Sequence, residues 1–271
     1  MSRITKQILA DLREETAELE SMIEGADDAS WMTQTPAEGW TVQDQLNHLA
    51  YFDDATTLAM RNPTEFSQLA DSLMASAQDF PGEIAEQQRG LPVEATRDWL
   101  HRARQNLLTV FDATEDTRRV PWFGVSMSLA SSITARLMET WAHGQDIADA
   151  LAIERQPTAR VRHICHLGVQ TRAFSYALRG MEAPTEPVGV VLTAPDGDEW
   201  RWGPECGQNS VSGSAWDFAL VVTQRRNIAD TGLVVTGHVA GEWMSIAQAF
   251  AGVPGLGRAP MGAVPFVLLS P

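Results

Sequence analysis

The chain has 271 residues and a formal net charge of −15 at pH 7; 44% of its residues are hydrophobic and 20% are charged. This length and apolar content are sufficient for one large domain or two ordinary ones with a sizeable core. The acidic balance argues against binding to a phosphate backbone, which requires a basic surface, so we expect no nucleic-acid partner.

Targeting signals and cysteine usage indicate the compartment. The sequence has no apolar run of about 18 residues, so we expect neither a membrane span nor a membrane partner. Residues 1–6 lack the apolar core of a signal peptide. The two cysteines, Cys165 and Cys206, lie far apart in sequence, which argues against a disulfide scaffold. Together these features predict a cytoplasmic protein.

The first 180 residues have a mostly helical pattern. Apolar periodicity predicts long helices over residues 4–26, 41–61, 92–111, 128–151 and 158–179. Thr41 and Asp44 have the spacing of a capping box at the start of the second helix. Residues 64–90 are less regular and predict one short helix, and residues 120–124 predict a loop with two exposed aromatic side chains. Four of these long helices are enough to favour a bundle.

The composition changes after Gly180, where glycine and proline become frequent. A strand over 188–193, a turn over 195–198 and a return strand over 199–203 predict a hairpin. A helix over 212–224, a strand over 233–236 and a helix over 243–250 complete a small α+β domain. Pro184 and Pro187 mark a linker, so we predict domains of residues 1–182 and 183–271.

Glu139 and His143 are four residues apart and therefore lie on the same face of a predicted helix, together with Asp146. A carboxylate and an imidazole placed in this way can chelate a divalent metal, but catalytic zinc usually has three protein ligands. The best candidate for the third ligand is His48 on an earlier helix. Two interpretations remain open. Since these residues lie opposite the apolar stripes of their helices, they either face solvent or line a crevice covered by the C-terminal domain.

Two segments of the chain resemble the metal-binding segments of a known family. Residues 39–49, G-W-T-V-Q-D-Q-L-N-H-L, resemble the W-T-v-x-d-x-l-x-H-l segment of the mycothiol-dependent maleylpyruvate isomerases. Residues 139–147 resemble that family's E-x-x-x-H-x-x-D segment, and residues 214–218 and 224–226 are similar to its C-terminal domain. The resemblance implies an α + (α+β) fold, in which an N-terminal DinB-like up-down four-helix bundle precedes a small sterol-carrier-like domain.

The resemblance also implies an activity. It implies a divalent metal, usually zinc, held by His48, Glu139 and His143 with open coordination positions for water or a thiol. Metal coordination deprotonates a thiol and makes it a nucleophile at neutral pH. In this family the thiol is mycothiol. We therefore predict an isomerase or S-transferase whose partners are a small electrophilic substrate and a low-molecular-weight thiol.

Two further residues are candidates for catalysis. Asp146 either orients His143 through a hydrogen bond or belongs to a solvated helix face. Arg225 matches a family arginine suited to binding a substrate carboxylate, but it could equally satisfy carbonyl groups at a helix end, and Arg226 is a rival for the same role. His238 stands where we expect an acidic residue in the relatives, so maleylpyruvate itself is not assigned as the substrate.

Other interpretations of the sequence remain. The protein could be a non-catalytic metal-binding module, such as a sensor or a metal-stabilised interaction protein. The cluster of His163, Cys165 and His166 predicts packing or solvent exposure rather than metal binding, and Cys206 could be a reactive thiol. The pattern permits a monomer and a homodimer equally.

Overall fold

The computed structural model describes residues 1–76, 79–204, 207–255 and 257–262. The chain divides into two compact units, Met1–Gln156 and Pro157–Pro271. This division groups the helices within residues 161–177 with the C-terminal elements, whereas the boundary predicted from sequence grouped them with the helical part. Among the described residues, none of the helices combines the length and apolar character needed to cross a membrane.

The first unit is mainly helical. Its described elements are α1 (Arg3–Ile23), α2 (Asp28–Trp31), α3 (Val42–Arg61), α4 (Pro63–Ser76), α5 (Phe80–Gln88), α6 (Val93–Asp112), β1 (Arg119–Trp122), β2 (Val125–Ser128) and α7 (Leu129–Ala150). The four long helices pack against one another, because α1 and α3 each contact both α6 and α7. The long helices of this unit therefore lie close to the positions predicted from apolar periodicity.

The start and the end of α3 follow from local chemistry. The Thr41 hydroxyl accepts a hydrogen bond from the backbone N–H of Asp44, and the Asp44 carboxylate accepts one from the backbone N–H of Thr41. This reciprocal pair confirms the predicted capping box. The helix ends at Arg61, since the helical conformation is disfavoured for Asn62, which precedes Pro63.

Two predictions for the first unit were wrong. Residues 64–90 contain most of two helices, α4 and α5, rather than one short helix. Residues 120–124 belong to the β1–β2 hairpin, and its aromatic rings are half-buried rather than exposed. Trp122 stacks on Phe66 with a centroid distance of 5.7 Å, and Phe123 lies 4.8 Å from Phe80. These partners come from α4 and α5, which the local pattern around the hairpin cannot reveal.

The second unit combines helices with a four-stranded sheet. Its described elements are α8 (Val161–Gln170), α9 (Arg172–Ala177), β3 (Gly189–Thr193), β4 (Glu199–Trp202), β5 (Ser210–Ser214), α10 (Ala215–Val222), a short 3-10 helix (Ile228–Asp230), β6 (Val234–Thr236) and α11 (His238–Ile246). The strand order is β4-β3-β5-β6, in which β3 and β5 are parallel and the other pairs are antiparallel. Val190 in β3 lies opposite Val211 in β5 and Trp202 in β4.

Three sequence-based predictions for the second unit differ from the structure. The helix predicted over 158–179 is divided into α8 and α9 at Thr171, and the last helix spans His238–Ile246 rather than 243–250. The helix predicted from residue 212 begins only at Ala215. Ser214 both ends β5 and caps α10, because its hydroxyl accepts hydrogen bonds from the backbone N–H groups of Trp216 and Asp217. The fold class is confirmed as helix-rich with small sheets.

Candidate metal centre

Helices α3 and α7 bring the three predicted ligands together. Nε2 of His48 lies 3.7 Å from Oε2 of Glu139, and Nε2 of His143 lies 3.1 Å from the same oxygen. One ligand atom from each residue lies within 4.8 Å of the other two. Ligand bonds to zinc are about 2.0–2.2 Å for nitrogen and oxygen, so this spacing is suited to ligands around a single ion.

The three side chains are largely buried. Their exposed fractions are 11% for His48, 20% for Glu139 and 10% for His143. The solvent-facing interpretation is therefore wrong. It failed because α7 contacts α1 as well as α3, so that a helix face opposite the apolar stripe is also covered.

Burial and neighbouring charge set the protonation states of the ligands. Burial lowers the pKa of His48 to about 4; the neighbouring His143 adds to this effect and Glu139 opposes it. Burial alone would raise the pKa of Glu139, but hydrogen bonds from His143 and His48 outweigh it and hold the pKa well below its usual range. At neutral pH the site thus contains a neutral imidazole at His48 and a carboxylate at Glu139, both of which are forms that coordinate a metal.

A chain of hydrogen bonds orients His143. Its Nδ1 pairs with the side-chain oxygen of Gln45, whose amide nitrogen donates to Thr35 Oγ1 at 2.8 Å; that hydroxyl in turn donates to the Trp40 carbonyl at 2.8 Å. An amide oxygen can only accept, so Nδ1 carries a proton; where a metal replaces the hydrogen bond between Nε2 and Glu139, the neutral ring would offer its Nε2 lone pair. A metal-ligating histidine usually has such an acceptor at its other nitrogen. Sequence reasoning missed Gln45, although it lies on the His48 face of α3, three residues earlier.

Aromatic rings surround the two imidazoles. Trp40 stacks on His143 with a centroid distance of 6.1 Å and lies 5.3 Å from His48, and Phe52 lies 4.5 Å from His48. Phe52 also contacts Trp122 of the hairpin at 6.1 Å. These rings reduce the access of water to the ligands, which strengthens electrostatic interactions within the site.

The structure places the two other candidate residues as follows. Asp146 is 1% exposed on α7, so it does not belong to a solvated face; its catalytic role stays a prediction. Arg225 follows α10 in the second unit, and its Nη1 donates to the Thr223 carbonyl at 2.8 Å, as expected of an arginine at a helix end. Arg226 donates to the Arg225 carbonyl. A substrate-binding role for either arginine stays a prediction.

The remaining histidines and cysteines lie elsewhere. Cys165 is buried and donates to the Ala215 carbonyl at 3.3 Å, and burial raises the pKa of its thiol. His166 accepts a hydrogen bond from Trp202 Nε1 at 3.1 Å. Cys206 lies outside the described residues. Within the described ranges, the His48, Glu139 and His143 cluster is the group of three or more such residues that could hold one ion.

Comparison with known proteins covers both the site and the whole chain. A family model, described as the mycothiol maleylpyruvate isomerase N-terminal domain, matches residues 12–148, a range that includes all three candidate ligands. Two Mycobacterium tuberculosis proteins, from strains CDC 1551 and H37Rv and described as uncharacterized, are each 41% identical over 251 residues, which is 92% of this chain and 97% of each relative.

Two solved structures share the fold. They are crystal structures of the mycothiol-dependent maleylpyruvate isomerase and of a histidine-to-alanine mutant of that enzyme, each with a TM-score of 0.56. The sequence identities are 17% and 16%, and the matches cover 87% and 83% of this chain and 95% and 92% of the two solved chains. At such low identity the likeness is one of fold.

Proposed function

Because the chain belongs to the mycothiol maleylpyruvate isomerase family, we propose that it is a zinc-dependent, thiol-using isomerase or S-transferase that acts on a small electrophile. Mycothiol or another low-molecular-weight thiol is the proposed co-substrate. The observation that carries the proposal is the convergence of His48, Glu139 and His143, with one ligand atom from each within 4.8 Å of the others. Two imidazoles and one carboxylate form a set used by catalytic zinc, which keeps a further position open.

Each residue of the site has a defined task in this proposal. When bound, zinc would supply the positive charge that stabilises a thiolate at neutral pH. His48 and His143 offer Nε2 lone pairs, Glu139 offers a carboxylate oxygen, and Gln45 fixes the tautomer of His143. Isomerisation would then consist of thiolate addition to a double bond, rotation about the resulting single bond and elimination of the same thiolate, which consumes no oxidant and no net proton.

The domain assignment is part of the same proposal. The mutual contacts of α1, α3, α6 and α7 support a DinB-like four-helix bundle, and the mixed sheet with α10 and α11 supports a sterol-carrier-like C-terminal domain. The structural likeness covers most of the chain, which supports the presence of both parts. We also propose a cytoplasmic location, since thiols are kept reduced there.

The test begins with metal analysis of the purified protein and of His48→Ala and Glu139→Ala variants. We expect about one zinc per chain in the parent and its loss from both variants, because catalytic zinc needs all three protein ligands. His101→Ala is the matched control: this histidine is exposed on α6 and should not affect zinc content. The zinc-loaded parent is then assayed for mycothiol-dependent turnover of small unsaturated electrophiles.

Each result has a clear meaning. Zinc binding with mycothiol-dependent turnover that His48→Ala abolishes supports the enzyme. Zinc binding without thiol-dependent turnover of any electrophile tested favours the non-catalytic metal-binding module instead. A parent that takes up no zinc on reconstitution, or turnover that does not depend on His48, contradicts the proposal.

A further inference from the structure

A buried cluster of charges joins α3, α6 and α7 in the first unit. The carboxylate of Asp53 accepts a hydrogen bond from Nε of Arg104 at 2.5 Å and one from Nε of Arg136 at 3.1 Å. The exposed fractions of these side chains are 0%, 1% and 4%. Two guanidinium groups therefore share the Asp53 carboxylate. A buried donor that lacks a hydrogen-bond partner is unfavourable, so the remaining nitrogens of both arginines need partners.

The two arginines of this cluster are not equivalent. Arg104 uses Nη1 to donate to Thr16 Oγ1 at 2.5 Å and Nη2 to donate to Thr140 Oγ1 at 3.0 Å, so each of its nitrogens has a partner. Nη2 of Arg136 is also buried, but it has no hydrogen-bond partner within the described part of the chain. The buried donor without a partner in this cluster is therefore Nη2 of Arg136.

Arg136 lies beside the candidate metal centre. It precedes Glu139 by three residues and His143 by seven, so the three share one face of α7, and its Cα lies about 4.5 Å from that of Glu139 along the helix axis. Asp53, which holds its Nε, is on α3 with His48. After burial and His143, the charge of Arg136 is a further cause of the lowered pKa of His48, which is consistent with their proximity.

We infer that Arg136 binds a carboxylate group of the substrate at a position next to the three candidate metal ligands. A carboxylate would accept a hydrogen bond from the unmatched Nη2, and arginine is suited to this because its planar fork matches carboxylate geometry. As a statement about the substrate, the inference rests on the proposed function. As a statement about anion binding, it requires neither zinc nor a thiol. Binding of a substrate carboxylate, for which Arg225 was the candidate in the sequence, is thereby assigned to a residue of the first unit.

Titration calorimetry with succinate and with its neutral diamide, succinamide, tests the inference. Zinc-loaded parent protein should bind succinate at least about tenfold more tightly than succinamide, since a hydrogen bond to a charged group contributes that much or more. Arg136→Gln should lose most of its succinate affinity while zinc content stays unchanged, and Arg136→Lys should retain part of it. Arg155→Gln is the matched control, because this buried arginine is fully engaged by Glu15, Glu18 and the Trp141 carbonyl.

A measurement on metal-free protein distinguishes succinate binding by Arg136 from succinate binding by zinc. After zinc removal with a chelator, succinate should still raise the Tm of the parent and succinamide should not. Equal succinate affinity in the parent and in folded, zinc-loaded Arg136→Gln overturns the inference. If Arg136→Gln does not fold or does not hold zinc, the inference is tested on the metal-free parent. It is overturned if succinate raises the Tm of that protein no more than succinamide does. If the proposed function fails, because zinc or thiol-dependent turnover is absent, the Tm measurement on metal-free protein still tests whether the protein binds a carboxylate.

Discussion

At His143 the two ring nitrogens have different partners, and this difference determines what the residue can do. Nδ1 faces the Gln45 side-chain oxygen, whereas Nε2 faces Glu139. Gln45 is itself held by Thr35, so the acceptor at Nδ1 cannot rotate freely. The proton on Nδ1 is thereby held in place, so that the neutral ring would present its Nε2 lone pair to a metal.

Substitution of Gln45 should therefore weaken metal binding without removing a ligand. We expect Gln45→Leu to lower zinc affinity by about 10- to 100-fold, the usual effect of losing a partner of a metal-ligating histidine, and Gln45→Glu, which keeps the acceptor, to lower it much less. Competition with a chromophoric chelator measures the affinity. Gln43→Leu is the control, because Gln43 is a buried glutamine of the same helix that binds the Leu91 carbonyl and Thr96 instead. Equal zinc affinity in Gln45→Leu and Gln43→Leu would contradict the role of Gln45.

His48 should make the metal-free protein sensitive to acid. Its pKa falls from 6.5 to about 4 on burial, so between these pH values the unfolded chain binds more protons at this residue than the folded chain. The free energy of unfolding must then decrease as pH falls from 6.5 to 4, by up to roughly 3 kcal/mol for this residue alone, and should change little from this source outside that window.

Urea unfolding of the chelator-treated parent and of His48→Gln at pH 7.5, 5.5 and 4.5 checks this expectation. As pH falls, the unfolding free energy of the parent should decrease more than that of His48→Gln. A difference that stays constant across the three pH values would show that His48 titrates alike in the folded and unfolded chain.

At the level of elements, the contact between α8 and α10 depends on a residue without a side chain. A Cβ added at Gly168 would lie 2.8 Å and 2.9 Å from the two γ-carbons of Val222, which is itself fully buried. The two helices can therefore approach closely only where α8 carries glycine. The requirement is steric, since Gly168 lies within a regular helix.

Gly168→Ala should destabilise the protein, although alanine favours helix. Overpacking in a close contact costs about 1–3 kcal/mol, and the better helix propensity returns about 1 kcal/mol at most. Gly241→Ala in α11 is the control, since nothing lies within 4 Å of the added Cβ; it should be neutral or stabilise by up to about 1 kcal/mol. Thermal unfolding followed by circular dichroism compares the two variants, and a Gly168→Ala protein as stable as Gly241→Ala would show that the helices can separate at little cost.

For the whole molecule, the candidate chemistry is concentrated in the first unit. Met1–Gln156 contains the three candidate ligands, Gln45, Arg136 and the aromatic rings around the imidazoles, and the family match over residues 12–148 falls within the same range. The second unit contains Arg225 and the mixed sheet. The match to the Mycobacterium tuberculosis relatives covers 92% of the chain and therefore extends into both units.

Features that depend on near neighbours along the chain could be predicted from the sequence. The i, i+4 spacing of Glu139 and His143, the capping box at Thr41 and the helix end before Pro63 are set by residues within one helical turn, and all appear in the structure as expected. His48 was the best candidate for the third ligand in the sequence, and the family motif agreed with it, but its distance to α7 is not encoded by spacing.

What covers each face of a helix or strand depends on contacts between distant segments and could not be predicted from the sequence. Helical periodicity separates an apolar face from a polar one but does not show that α7 contacts both α1 and α3, which is why the polar face of Glu139 and His143 was assigned to solvent as one alternative. The roles of Gln45 and Arg136 could be inferred only from the structure, because their partners lie 98 and 83 residues away in sequence. Burial and hydrogen bonding between distant segments, rather than local propensity, turn three spaced side chains into a candidate site.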